Sequence, residues 1–271
     1  MLKERILTAL VLLPVVLVAI FSFNRDYFAL FMGLAMMAAC WEWANLAGVT
    51  DNLWRGVYCV AVAALMILLY LFPQYWLNLV VIVWWALALA LVVTYPASAE
   101  LWSGKKALLL LVGLVVLIPA WYGLVSLHST GFMGVSGPWA LLYCFALIWG
   151  ADTGAYFAGR AFGKRKLAPA VSPGKSVEGL LGGILLTVVI AVWVGIGIDL
   201  QGPVLVSFLL LSFVTVLVSA LGDLLESMLK RERGIKDSGN ILPGHGGMMD
   251  RIDSITAAVP VFVAGLSLLN L

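Results

Sequence analysis

The sequence predicts an all-α polytopic membrane protein of about nine transmembrane helices, with a cytoplasmic N-terminus and an active site at the cytoplasmic side. Three observations predict it. Of 271 residues, 63% are hydrophobic and 11% are charged, too few charges to cover a soluble surface. The apolar residues gather into stretches of about 20, the length at which a helix crosses hydrocarbon. The basic residues segregate to one side of these stretches. Backbone polar groups in hydrocarbon must pair internally, which selects helices over open strands.

The expected spans are 6–23, 27–47, 53–72, 75–95, 107–127, 138–157, 177–198, 204–225 and 255–271. The first follows Lys3 and Arg5, as a secretory signal would. No small-x-small cleavage pattern follows it, so it reads as a retained helix. The second carries Glu42 between Trp41 and Trp43. Tryptophans at that depth anchor a helix at the membrane interface, and Glu42 reads as a carboxylate reaching water beside them. The next three spans hold few polar groups. The last four, with their loops, hold most of the remaining polarity.

Nine crossings put every Lys and Arg but Arg25, out of 16, on one face. Lysine and arginine accumulate on the cytoplasmic side of short loops, so that face is expected in the cytoplasm. The chain reads as one membrane domain, 1–271, with scaffold helices over 1–135 and catalytic helices and cytoplasmic loops over 136–271. A net charge of +2 gives no reason to expect nucleic acid. Cys40, Cys59 and Cys144 stand alone, without C-x-x-C pairing, so neither disulfides nor a zinc site is expected.

Charge that survives near a membrane needs a chemical reason. Asp223, Glu226 and Lys230 recur at i, i+3 and i+7, which puts them on one helical face with Ser227. Carboxylates at a membrane helix end are hard oxygen ligands for a divalent cation. The following loop sets Lys230, Arg231, Lys236 and Arg251 among glycines, with Asp237, His245, Asp250 and Asp253. Backbone donors and cations together suit phosphate oxygens. Asp152 is a carboxylate inside an apolar run. Ser172, Lys175 and Ser176 precede the seventh span, and hydroxyls, a lysine and a helix N-terminus can cradle a phosphate. This is no Walker A loop, because Pro169 stands where that pattern needs glycine.

The run Ser227-x-Leu229-Lys230-Arg231, then Lys236-Asp237-x-Gly239, then Leu242-Pro243-x-His245-Gly246-Gly247-Met248-x-Asp250-Arg251-Ile252-Asp253 closely resembles the signature of the phosphatidate cytidylyltransferases, or CDP-diacylglycerol synthases. The segments from Trp149 to Lys164 and from Ser172 to Gly179 resemble the same family. The resemblance implies that CTP and phosphatidic acid give CDP-diacylglycerol and pyrophosphate, with Mg²⁺ required and a monovalent cation such as K⁺ at the metal site. It also implies a homodimer in the bacterial inner membrane, feeding phospholipid synthesis. With it, Asp223 and Asp250 are expected to hold the metal. Lys230, Arg231, Lys236 and Arg251 are expected to clamp phosphates. Ser172, Lys175, Ser176, Ser227, Asp237, His245, Asp253 and Asp152 are expected to line the substrates.

Two other functions compete. A CTP-dependent lipid kinase would use the same cations but release CDP rather than pyrophosphate. A cation- or proton-coupled transporter could use Asp152, Asp223 and Glu226, but would place carboxylates near mid-membrane and show inverted repeats. Here the charges cluster at one face and no repeat is visible.

Overall fold

The computed structural model describes residues 2–72, 74, 76–242, 244 and 246–271, with side chains from Leu10 onward. The described chain is almost wholly helical. α1 (Leu2–Ser22), α2 (Arg25–Leu46), α3 (Asn52–Leu71) and α4 (Leu77–Val93) lead through a short α5 (Ala99–Trp102) to α6 (Lys106–Thr130) and α7 (Gly137–Phe162). A hairpin of β1 (Lys166–Ala168) and β2 (Ser172–Ser176) precedes α8 (Val177–Gly197), α9 (Gly202–Arg233) and α10 (Met249–Leu269). α2, α3 and α6 to α10 are long and apolar enough to cross a membrane. α4, with 17 residues, and the apolar part of α1 are shorter.

Local chemistry sets the boundaries. Asn24 and Asp51 accept from the Tyr27 and Trp54 amides, capping α2 and α3 at 2.9 and 3.1 Å. Ser176 caps α8 by accepting from the Gly179 amide at 3.1 Å. α9 ends at Gly234, in the left-handed conformation at φ 70°, which suits glycine at a helix C-terminus. Three helices run past their expected ends. α6 continues from 127 to Thr130. α7 continues to Phe162 and α9 to Arg233, because polar residues beyond a membrane helix can keep its backbone bonds. α10 starts six residues before the expected 255, so Asp250 lies in its first turn and Asp253 one turn later. The segment 166–176, expected to be a loop, is instead an antiparallel hairpin pairing Lys166 with Ser176 and Ala168 with Ser172.

Small residues hold the helices together. Lipid tails are as apolar as leucine, so association in a membrane rests on close packing. α7 and α8 meet along a seam where a Cβ on Gly154 would lie 2.5 Å from the Gly182 carbonyl oxygen, and one on Gly183 would lie 2.6 Å from the Ala151 carbonyl oxygen. α9 touches α10 where a Cβ on Gly222 would fall 2.5 Å from the Asp253 carbonyl oxygen. Indole groups tie the first half in. Trp43 Nε1 donates to the Leu109 carbonyl at 2.8 Å, and Trp121 Nε1 to the Ala29 carbonyl at 2.9 Å. Phe132, Tyr143, Phe208 and Phe262 fill the centre between α7, α9 and α10. The outward faces are apolar, with Leu185, Trp193, Val206 and Leu210 exposed, as a lipid-facing surface requires.

The seam gives a direct prediction. Gly154→Val puts a branched side chain against backbone that cannot withdraw, so it should destabilise by about 1–3 kcal/mol. The midpoint of thermal unfolding in detergent should fall. An unchanged midpoint means that the two helices stand further apart.

Candidate active site

The site is assembled from four segments far apart in sequence. α9 carries Asp223, Glu226, Ser227 and Lys230 along one face, as the i, i+3, i+4, i+7 spacing requires. α10 starts beside it and brings Asp250 in its first turn and Asp253 one turn later. β2 lays Lys175 across the same face, and α7 brings Asp152. The Gly222 contact lets α9 and α10 approach closely enough for these groups to meet.

Two lysines organise the carboxylates. Lys175 Nζ lies 2.6 Å from Asp223 Oδ2, and Asp223 Oδ1 accepts from the Ser227 hydroxyl at 3.2 Å. Lys230 Nζ donates to Glu226 Oε2 at 2.7 Å and to Asp250 Oδ1 at 2.6 Å. Asp250 Oδ2 accepts from the Ser238 amide at 2.9 Å, the Ser238 hydroxyl at 2.9 Å and the Gly247 amide at 2.8 Å. Both oxygens of Asp250 are therefore engaged, whereas Asp223 stays partly open to solvent. Asp253 lies within electrostatic range of Asp223, Glu226 and Lys175, and Asp152 within range of Asp223 and Lys175.

A cavity of about 550 Å³ opens beside these pairs. Asp152, Tyr156, Arg160, Lys175, Ser176 and Ser219 supply its polar lining, and Leu180 and Val216 are among its apolar walls. Arg160 donates to the Tyr156 hydroxyl at 3.1 Å. One chamber thus offers charge on one wall and hydrocarbon on another, which suits a ligand with a polar head and an apolar body.

The structure gathers Asp152, Lys175, Asp223, Glu226, Ser227, Lys230, Asp250 and Asp253. The other expected residues hold other contacts or exposed positions. Ser172 pairs with Ala168 in the hairpin and does not line the cavity. Ser176 lines the cavity, but its hydroxyl is used as the α8 cap. Arg231 Nε donates to the Val171 carbonyl at 3.2 Å, tying the hairpin to α9. Lys236, Asp237 and Arg251 are exposed on the loop and the first turn of α10. His245 lies outside the described residues.

Glu42 is the largest departure from expectation. It does not reach water, being 2% exposed. It accepts from the Met248 and Met249 amides at 3.0 and 2.8 Å, and from the Ser238 hydroxyl at 3.0 Å. Sequence reasoning also left Ser238 out. The available signal for Glu42 was a lone carboxylate in an otherwise apolar stretch, which hydrocarbon does not tolerate without a partner. Its partners lie about 200 residues away, so spacing could not name them.

The charge balance of the residues present favours a cation. Five carboxylates, from Asp152, Asp223, Glu226, Asp250 and Asp253, face Lys175 and Lys230, with Arg160 at the cavity wall. The balance is negative, and an anionic ligand entering it needs added positive charge. Glu226 Oε1 is buried without a hydrogen-bond partner, on a residue 1% exposed. Its hard oxygen suits a divalent ion such as Mg²⁺. Among the described residues, no three His, Cys, Asp or Glu side chains already converge at metal-ligand spacing.

Comparison with known proteins covers the whole chain. The model of the cytidylyltransferase family matches residues 3–269. The phosphatidate cytidylyltransferase of Pseudomonas aeruginosa is 49% identical over 266 residues, covering 97% of this chain and 96% of the relative. That of Haemophilus influenzae is 45% identical over 284 residues, with 97% of each chain covered. That of Bacillus subtilis is 45% identical over 130 residues, 48% of each chain.

Proposed function

The chain belongs to the cytidylyltransferase family, and from that premise we propose how its site transfers CMP from CTP to phosphatidic acid, giving CDP-diacylglycerol and pyrophosphate. The observation that carries the reading is the meeting of Lys175–Asp223 and Lys230–Asp250 pairs, drawn from three segments, beside one half-polar cavity.

The chemistry needs charge control above all. A phosphatidate oxygen attacks the α-phosphorus of CTP. A P–O bond forms there as the bond to the bridging oxygen of the β-phosphate breaks, and pyrophosphate leaves with the electron pair. The attacking phosphate is already ionised near neutral pH, so no general base is needed. Both reactants are anions, and positioning plus electrostatic stabilisation do the catalysis. Lys175 lines the cavity, Lys230 lies deeper on the same helix face as Asp223, and the two are placed to turn from Asp223 and Asp250 to phosphate oxygens. Lys236 and Arg251, exposed on the neighbouring loop and helix, add two cations near the cluster. Asp223 and Asp250 would hold Mg²⁺, with Glu226 Oε1 as an unpartnered third oxygen and K⁺ as a candidate second ion. When bound, the divalent ion supplies charge to the α-phosphate and departing pyrophosphate.

The nine-crossing topology belongs to this proposal, as do the cytoplasmic N-terminus, the inner-membrane location and the homodimer. The 17 residues of α4 are at the short end of what crosses hydrocarbon. α2 starts at Arg25, whose guanidinium lies 4.4 Å over the Tyr70 ring, and carries Glu42 near its other end. Arg25 therefore sits about 25 Å along the helix axis from the charged cluster, which agrees with a single basic face and one exception.

Product analysis tests the reaction. Purified protein given labelled CTP and phosphatidic acid should release pyrophosphate and CDP-diacylglycerol. CDP and a phosphorylated lipid would instead identify a kinase. Lys175→Ala should lower kcat/KM for CTP-dependent turnover by roughly 10²-fold. Unchanged kinetics with both substrates would remove β2 from the site.

A further inference from the structure

The catalytic half of this chain is not self-supporting at its most important point. α10 begins at Met249, and the residue in its N-cap position, Met248, offers no side chain to the exposed amides. A helix start needs an acceptor there, and its positive end favours a carboxylate. Glu42 provides it, from α2 and 206 residues upstream of Met248. Its Oε1 takes the Met248 amide and its Oε2 the Met249 amide.

The same carboxylate reaches the 234–248 loop. Ser238 holds its hydroxyl 3.0 Å from Glu42 Oε2 and 2.9 Å from Asp250 Oδ2, while its amide donates to Asp250 Oδ2. One hydroxyl thus bridges Glu42 and Asp250. The loop is folded closely around Glu42: a Cβ on Gly239 would lie 2.3 Å from Glu42 Oε1, and one on Gly247 would lie 2.4 Å from Glu42 Oε2. α2 is itself fixed on either side of Glu42. Arg55 donates to the Trp41 carbonyl through Nε at 3.1 Å and its terminal nitrogen at 2.7 Å, and Trp43 donates to the Leu109 carbonyl.

We infer that Glu42 is a positioning residue for the transfer reaction: it caps α10 from the first half of the chain and, through Ser238, sets where Asp250 stands against Lys230. A buried carboxylate is costly unless hydrogen-bonded, and here two amides and a hydroxyl shared with Asp250 meet it. Those donors all belong to the segment that carries Asp250. The carboxylate is thereby tied to the geometry of the site rather than to packing of α2 alone. The role in turnover rests on the functional reading above; the capping role does not.

The test uses full-length protein in detergent micelles with CTP and phosphatidic acid. Glu42→Ala leaves the two amides at the start of α10 unmet and can fail to fold, so Glu42→Gln and Ser238→Ala carry the experiment. The Gln variant keeps the shape but offers an amide NH₂ where one backbone N–H needs an acceptor. Ser238→Ala removes the bridge and leaves the cap intact. Both should lower kcat about 10–100-fold, as loss of a ligand-orienting partner does. KM for CTP should move by less than about threefold, because Glu42 and Ser238 are placed to act through Asp250 rather than on the nucleotide. Hydrogen exchange of the amides of 237–249 should quicken about tenfold or more in the Gln variant, with the rest of the molecule unchanged. Wild-type kcat together with wild-type exchange in both variants would overturn the inference. So would a loss of activity matched by uniformly faster exchange across every helix, which marks general destabilisation. If the wild-type protein makes no CDP-diacylglycerol, the functional reading fails, and the exchange measurement still decides the capping role.

Discussion

Asp223→Asn should lower kcat by about 10²–10³-fold while the protein stays folded. The substitution keeps the shape and one acceptor of the side chain but removes its charge. Stability should change little, because the Lys175–Asp223 pair is partly exposed, with side chains 28% and 32% accessible. Pairs of that kind contribute on the order of 1 kcal/mol or less. The unfolding midpoint should therefore fall by no more than about 4 °C. Catalysis is more sensitive. Removing one preorganised electrostatic group from a site where charge develops costs about 10²–10³ in kcat. The measurement is CTP-dependent turnover at limiting Mg²⁺, beside a melting curve on the same preparation. Near-normal turnover would exclude Asp223 from the reaction centre.

Lys230→Met should act in the opposite sense, on stability first. Lys230 is the only lysine paired with Glu226 and Asp250 among the described residues, at 2.7 and 2.6 Å. Glu226 is almost completely buried. Deleting one partner of a buried ion pair strands the other, at a cost of about 3–5 kcal/mol. Methionine fills a similar volume, so the loss reports charge rather than a cavity. Adding Glu226→Gln removes one of the two stranded charges, leaving Asp250, and should restore part of the stability, though not activity, since Lys230 is absent. Chemical denaturation of the single and double variants in detergent closes the cycle. If the single variant unfolds at the wild-type midpoint, Glu226 is not carried as a charge in the folded protein.

These two lysines differ in kind, and sequence alone does not separate them. Both stand near basic clusters. Lys175 lies at a half-exposed rim and Lys230 in a buried three-way pair. The difference comes from α10 starting at Met249, which seats Asp250 over the α9 face. An apolar-period reading starts that helix only where the charges stop, six residues later.

Much of the molecule was nonetheless legible in the residues. Runs of about 20 apolar residues specify helices because hydrocarbon leaves the backbone no alternative. Asp223, Glu226, Ser227 and Lys230 share a face because a helix repeats every 3.6 residues. The spacing from Ser227 to Asp253 identified the family, and the match over residues 3–269 agrees with it. The hairpin at 166–176 was missed because strands of three and five residues carry too little alternation to read. Arg231, a cation in a basic run, spends its Nε on the Val171 carbonyl, a contact 60 residues away.

The sequence by itself determined the helices and the face of α9 that carries the chemistry, because each rests on local periodicity, and its resemblance to a known family implied the class of reaction. Only the tertiary structure decided which charges meet. Glu42 shows why: its burial is tolerated only by amides and a hydroxyl some 200 residues away, and no local rule links a carboxylate to donors that distant until the helices pack.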